Sequence, residues 1–262
     1  MVEKYIQSLS NPFVKEVLKL YEKKDRQARG LFLIEGRKEL SLALKYRVKI
    51  QHLFYCQELI QKDPTILEKF ESIEKTRVSP KVFEKIAYRG TTEGLLAIAI
   101  QPCHTLDDIS GEGNFVVVLE KMEKPGNIGA VLRTADAAGV NAVVVCDEVS
   151  DIYNPNVVRT SLGGLFSTLA IQSNTKEAIS WLKRHNYSIA AATPKASSLY
   201  NQIQPQGNFA VAIGSEKDGL SEVWLEQADY KVLIPMVGQV DSLNASVSAG
   251  ILIYQYAQCN RH

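Results

Sequence analysis

The feature that most constrains this chain is a series of short, unbroken apolar runs: FVVVLE (115–120), NAVVVC (141–146), YSIAAAT (187–193), NFAVAIG (208–214) and YKVLIP (230–235). A strand with one wet face alternates apolar and polar residues. A run that is apolar at every position has to be covered on both faces, and a parallel sheet sandwiched between helices does this. Helix-like segments at 128–138, 156–166, 175–185 and 220–227 separate the runs, and an apolar helix over 244–258 closes the chain. The pattern predicts an α/β fold with a parallel sheet in the C-terminal half.

The first half differs. After Asn11-Pro12, the residues Val14, Val17, Leu18 and Tyr21 recur at helical spacing among Lys15, Lys19, Lys23 and Lys24, which predicts an amphipathic helix with a basic face. Strands are expected at LFLIEG (31–36), QHLFYC (51–56) and GLLAIAI (94–100), with helices through Glu39–Lys45 and near 64–72, and a polar linker running from Gln101-Pro102 to Asn114. This reads as a small α/β domain over 1–105, followed by a larger one over 106–262.

Charge divides at the same place. Residues 1–105 carry 19 Lys+Arg against 13 Asp+Glu, a net +6, whereas 106–262 carry 11 against 16, a net −5. A basic front half suits contact with a polyanion, with Lys23, Lys24, Arg26 and Arg29 as candidate contacts, and reads equally well as a solvated surface of uneven charge. The four cysteines are scattered, with no C-x-x-C pair and no histidines at metal-ligand spacing, so neither a disulfide framework nor a metal site is expected. No apolar run approaches the roughly 20 residues that span a bilayer, and the N-terminus lacks the apolar core of a signal peptide; a cytoplasmic location is expected.

In an open parallel sheet, ligands bind beyond the carboxyl ends of strands. Three loops there are unusual. The first, Glu120 to Ala135, contains Gly126-Asn127 and, six residues beyond the asparagine, Arg133. Asn127 is expected to cap the following helix, with Arg133 close to two turns on, near the same face and suited to a phosphate. The second, AIGSEKDGLS (212–221), uses Gly214 and Gly219 to bring backbone close to a ligand, with Glu216 at the turn. The third, IPMVGQVDSLNASVSAG (234–250), crowds three candidate caps, Ser242, Asn244 and Ser246, before one helix. Taken singly, each feature also reads as an ordinary cap or turn. No G-x-G-x-x-G follows the first strand of this half, and no Walker or G-x-S-x-G motif occurs, which disfavours dinucleotide oxidoreductases, nucleotide triphosphatases and α/β-hydrolases.

Together, N-I-G-A-V-L-R-T-A-D-A-A-G (127–139), N-P-N-V-V-R-T-S-L-G-G-L-F (154–166), G-S-E-K-D-G-L-S (214–221) and I-P-M-V-G-Q-V-D-S-L-N-A-S-V-S-A (234–249) resemble, in order and spacing, the SpoU/TrmH branch of the SPOUT RNA methyltransferases. The stretches 11–20 and 31–36 are similar to the family's small L30e-like substrate-binding domain. The resemblance implies a trefoil-knotted methyltransferase domain, S-adenosylmethionine as cofactor, no metal, a homodimer, and transfer of a methyl group to a ribose 2′-hydroxyl of structured RNA, leaning to rRNA over tRNA. It implies catalytic or motif roles for Asn127, Arg133, Glu216, Ser242 and Asn244. Gly214, Ile234, Met236, Leu243 and Ser246 are implied around the cofactor, and Arg159 and Ser161 on RNA. A tRNA target, a base-directed methyltransferase and a catalytically silent RNA-binding protein are the competing readings.

Overall fold

A computed structural model describes residues 4–60, 64–88 and 93–259. The chain divides into two compact units, one of residues 1–102 with 153–166 and one of residues 103–152 with 167–262.

The first unit is built on a mixed five-stranded sheet. Its strands are β1 (Tyr5–Ile6), β2 (Leu31–Glu35), β3 (Ile50–Tyr55), β4 (Lys75–Val78) and β5 (Leu95–Ile100), in the order β1-β4-β3-β5-β2. β5 runs antiparallel to β2 and β3, while β4 is parallel to both β1 and β3. The expected amphipathic helix forms over Pro12–Lys19. Asn11 accepts the Phe13 N–H at 2.8 Å as its cap, and Val14 and Val17 are buried against Phe54, Val82 and Phe83. The segment expected as helix near 64–72 is a 3₁₀ stretch, Pro64–Phe70. β1, β4 and the helix Pro80–Ile86 were not foreseen; β1 has two residues and β4, KTRV, is half polar, so neither carries an apolar run.

The second unit is an all-parallel seven-stranded sheet. Its strands are β6 (Phe115–Glu120), β7 (Ala142–Cys146), β8 (Leu169–Ser173), β9 (Ser188–Ala192), β10 (Ser198–Leu199), β11 (Phe209–Ile213) and β12 (Tyr230–Leu233), in the order β10-β12-β9-β11-β6-β7-β8. The five apolar runs are five of these strands. β6, β7 and β11 are buried at every position, as two-sided burial requires. One face packs Val116, Val118, Val144 and Ile189 on Ile179, Leu182 and Trp224. Elsewhere Phe115 and Phe209 meet Tyr256 of the last helix edge-on. Truncating the fully buried Trp224 to alanine costs about 3–5 kcal/mol by the usual cavity penalty. β8 escaped the sequence pattern because LAIQS is an edge strand with a partly exposed, polar end.

The helix expected over 156–166 is broken. It runs Pro155–Thr160 and resumes as Gly164–Ser167, because Leu162 and Gly163 both take positive φ, 48° and 93°.

Candidate active site

β6 and β11 lie side by side at the centre of the parallel sheet, so the loops leaving their carboxyl ends emerge as neighbours. From β6 the chain enters the helix Pro125–Ala138. Proline opens it, where the missing N–H costs nothing, and the cap position falls to Lys124. Asn127 is therefore not the cap. It sits inside the first turn, buried, and its amide turns sideways: Nδ2 donates to Glu216 Oε1 at 3.1 Å.

Asn244 joins them from the third loop. Its Nδ2 donates to Asn127 Oδ1 at 3.2 Å and also to Glu216 Oε1. Its Oδ1 accepts the Ser246 backbone N–H at 3.0 Å and the Ser246 hydroxyl at 2.6 Å, capping the final helix, Ala245–Cys259. Of the three candidate caps, Asn244 is the one that acts, and it can do so while holding Glu216 because an amide both donates and accepts. Lys124 closes the other side of the cluster by pairing with Glu216 Oε2. These donors, Lys124 first and Asn127 next, hold the Glu216 carboxyl below the usual carboxylate range. Three loops far apart in sequence thus meet on one carboxylate.

Beside this cluster lies a cavity of about 340 Å³. Its walls include Gly214, Glu216, Ile234, Met236, Ser242 and Leu243, so six of the anticipated residues share one pocket; Ser246, Asn127, Asn244 and Arg133 are not in the lining. Gly214 admits no side chain: a Cβ there would stand 2.0 Å from the Gly219 carbonyl carbon, because Gly219 turns the loop back at φ +69°. Apolar side chains of Leu225, Leu233, Ile234 and Leu243 line the space together with four carboxylates, Glu216, Asp218, Glu222 and Asp241, against two lysines, Lys195 and Lys217. That pairing fits a ligand with a flat apolar part and a positively charged part, as S-adenosylmethionine has.

Behind the site, Glu120 is a buried carboxylate that sequence reasoning passed over. Oε1 accepts hydroxyls from Thr175 at 2.9 Å and Ser221 at 2.7 Å, and Oε2 accepts the Ser221 N–H at 2.7 Å. Trp224 Nε1 donates to Thr175 Oγ1 at 3.2 Å, extending the network. Ser221 thus stands at a cap position but spends its hydroxyl on Glu120. The legible signal was an acidic residue ending an otherwise fully apolar strand. Lys124, equally unforeseen, had none.

Other anticipated residues are placed differently. Arg133 is exposed, with no hydrogen-bond or ion-pair partner among the described residues, while Asn127 is buried. They do not share a face: six residues turn a helix by about 600°, leaving the two roughly 120° apart. Arg159 is exposed, whereas Ser161 is buried and its hydroxyl donates to the Val158 carbonyl at 2.8 Å. Arg26 is buried with its guanidinium donating to the Leu20 carbonyl at 2.9 Å, so neither Ser161 nor Arg26 offers a surface to RNA. Arg29 is paired with Glu16 at 2.6 Å and Asp25 at 3.6 Å, and Lys24 is exposed. Among the described residues no group of three or more His, Cys, Asp or Glu is placed to hold a metal, and no helix is long and apolar enough to cross a membrane.

Residues 114–254 match the model of the SpoU rRNA Methylase family. The chain belongs to that family. All four motif strings fall within the matched span, and residues 11–97 match a second model, an MRM3-like substrate binding domain. The 23S rRNA (guanosine(2553)-2′-O)-methyltransferase RlmP of Bacillus subtilis is 30% identical over 251 residues, covering 96% of this chain and 98% of that protein. A crystal structure of an RNA 2′-O ribose methyltransferase superimposes with a TM-score of 0.85 at 38% identity, over 98% of this chain and 99% of the other. The AdoMet-bound rRNA methyltransferase of Sinorhizobium meliloti does so with a TM-score of 0.88 at 29% identity, over 96% of both chains.

Proposed function

We propose that this protein transfers a methyl group from S-adenosylmethionine to a ribose 2′-hydroxyl of rRNA, as a cytoplasmic homodimer. Residues 106–262 form the knotted methyltransferase domain and residues 1–105 the RNA-docking domain. The observation that carries the reading is the Asn127–Glu216–Asn244 cluster at the mouth of a cavity lined by Gly214, Ile234, Met236 and Leu243. The relatives named above are RNA or rRNA methyltransferases, two of them 2′-O-specific by name, and this favours ribose over base and rRNA over tRNA.

The cofactor, when bound, supplies an activated methyl group and its own leaving group. The chain's task is positioning. Ile234, Met236 and Leu243 would hold the apolar part of the cofactor, and Gly214 would let backbone approach it. The Glu216 cluster fixes the loops after β6, after β11 and before the last helix in one arrangement, which keeps the pocket wall in place before substrate arrives. Arg133 grips the phosphate of the target nucleotide and stabilises the developing 2′-alkoxide. A guanidinium hardly ever gives up its proton, so the substrate phosphate or a neighbouring group accepts the hydroxyl proton.

Arg133 is exposed and turned away from Asn127, so a second copy of the chain completes the site. Val247 and Tyr254, seven residues apart on one face of the last helix and each 50% exposed, supply apolar surface for that contact. Arg133→Lys keeps the charge but loses the planar fork. It is expected to lower kcat/KM for rRNA at least about tenfold, equivalent to one lost charge-assisted contact. Near-normal turnover of that variant overturns the assignment of Arg133.

A further inference from the structure

The first unit holds a cavity of its own, of about 330 Å³. Its walls include Tyr21, Tyr88, the carboxylates of Glu35, Glu39 and Glu93, and the cations Lys38 and Arg159. Glu35 ends β2, and the chain turns sharply at Gly36, φ +104°, into the helix Arg37–Lys45 that carries Glu39. Glu35 is fixed from one side: its Oε2 accepts the Tyr88 N–H at 2.7 Å, while Oε1 has no partner among the described residues. The Tyr21 and Tyr88 rings lie nearly parallel, 14° apart, with centroids 5.9 Å apart, and the Tyr21 hydroxyl is tied to the Ile86 carbonyl at 2.6 Å. Arg159 stands exposed at the rim.

The chemistry narrows the occupant. Glu35, Glu39 and Glu93 outnumber Lys38 and Arg159 on the wall, which disfavours a phosphate inside it, and among the described residues no group of three or more His, Cys, Asp or Glu is placed to hold a metal. Burial pushes both the Glu35 and Glu39 carboxyls above the usual range, in Glu35 against the opposing pull of the Tyr88 N–H and the Arg159 charge. Carboxyl groups stripped of water in this way gain most from a ligand that brings N–H donors. The volume, about 330 Å³, sits at the small end of the ligand-pocket range of about 300–1,000 Å³ and suits a nucleoside-sized group. In RNA, an unpaired base stacks on aromatic rings and exposes its Watson–Crick edge. Guanine alone places two adjacent donors there, N1–H and N2–H₂, matching one carboxylate. Adenine and cytosine each place a ring-nitrogen acceptor beside their amino group, facing a carboxylate with a like-signed partner.

We propose that this cavity is a base-reading pocket that takes one unpaired guanine of the substrate RNA, with Glu35 and Glu39 on its Watson–Crick edge, the tyrosine pair against the ring and Arg159 on the flanking phosphate. The proposal rests on the RNA-methyltransferase reading and adds to it a nucleotide read outside the reacting centre.

The test is titration of the full-length protein, saturated with S-adenosylhomocysteine to block the other pocket, with the four nucleoside monophosphates and inosine monophosphate, followed by NMR of ring-labelled tyrosines. Guanosine monophosphate is expected to shift Tyr21 and Tyr88 at millimolar concentration. Inosine monophosphate, lacking the N2 amino group, is expected to bind about tenfold more weakly, and Glu35→Gln to weaken guanosine monophosphate by a similar factor. Equal binding of all nucleotides, no binding of guanosine monophosphate, or full retention of binding in Glu35→Gln overturns the proposal. So does tighter binding of N-acetyl-arginine amide than of guanosine monophosphate, which would identify a protein side chain as the occupant. Methyl transfer by the wild-type protein to deproteinised rRNA is measured in parallel. If transfer occurs and the titration fails, the pocket assignment falls and the enzymatic reading stands; if transfer fails and the titration succeeds, the reverse holds.

Discussion

Asn244→Asp is nearly isosteric and reverses the cluster's logic. The wild-type amide donates to Glu216 Oε1 and Asn127 Oδ1 through Nδ2 and caps the last helix through Oδ1. The substitution keeps the cap, and a negative charge at a helix N-terminus is worth about 0.3–1 kcal/mol in its favour. It loses one bond to a charged acceptor, about 1.5–3 kcal/mol, and one neutral bond, about 1 kcal/mol, and sets a second carboxylate against Glu216. The net local cost is about 2–4 kcal/mol at neutral pH. That cost falls on the loop placing Ser242 and Leu243 in the wall of the cavity proposed for the cofactor, so affinity for S-adenosylhomocysteine is expected to drop at least about thirtyfold. Calorimetry measures it, with circular dichroism as the check on folding. The pH dependence carries the sign. In the wild type, Glu216 is held below its ordinary value, so its stabilisation is present above that value and is lost as pH falls through the lowered one. In the variant the donor is gone, so mild acidification, which protonates one of the two facing carboxyls, recovers affinity instead of losing it. Affinity within twofold of wild type at neutral pH, or no recovery on acidification, refutes the role given to the cluster.

Three further outcomes follow from the same geometry. Gly214→Ala puts a methyl group 2.0 Å from the Gly219 carbonyl carbon, so it is expected to abolish S-adenosylhomocysteine binding in calorimetry while leaving a folded circular dichroism spectrum. Glu120→Ala strands the Thr175 and Ser221 donors in the interior and is expected to cost about 2–4 kcal/mol in urea unfolding followed by the fluorescence of Trp181 and Trp224. Burial raises the Cys146 thiol far above its ordinary value and also raises that of Cys56, whereas Cys103 is exposed. Iodoacetamide at neutral pH is therefore expected to label Cys103 but spare Cys56 and Cys146 in peptide mapping of the native protein.

The parallel sheet was legible because two-sided burial forces continuous apolar runs, and β6, β7 and β11 carry them without interruption. β8 and β10 were not, since an edge strand needs little apolar length. In the first unit β1 is likewise a short edge strand, whereas β4 is an inner strand that hides because KTRV is short and half polar. The site's segments could be read from their order, but their contacts could not. Asn127 looks like a cap because asparagine usually is one near a helix start; Pro125 moves the start upstream and frees the amide for Glu216. Arg26 and Ser161 look like surface residues by type, yet both turn inward to backbone carbonyls. A long-range partner such as Ser221, 101 residues from Glu120, leaves no local trace in the sequence.

The purified protein is incubated with S-adenosylmethionine carrying a deuterated methyl group and with deproteinised 23S rRNA, and the RNA is digested to nucleosides for mass spectrometry. The account predicts the label on a ribose, as a 2′-O-methylated nucleoside, and its loss with Asn127→Ala. Label on a base, or none above a protein-free control, contradicts it.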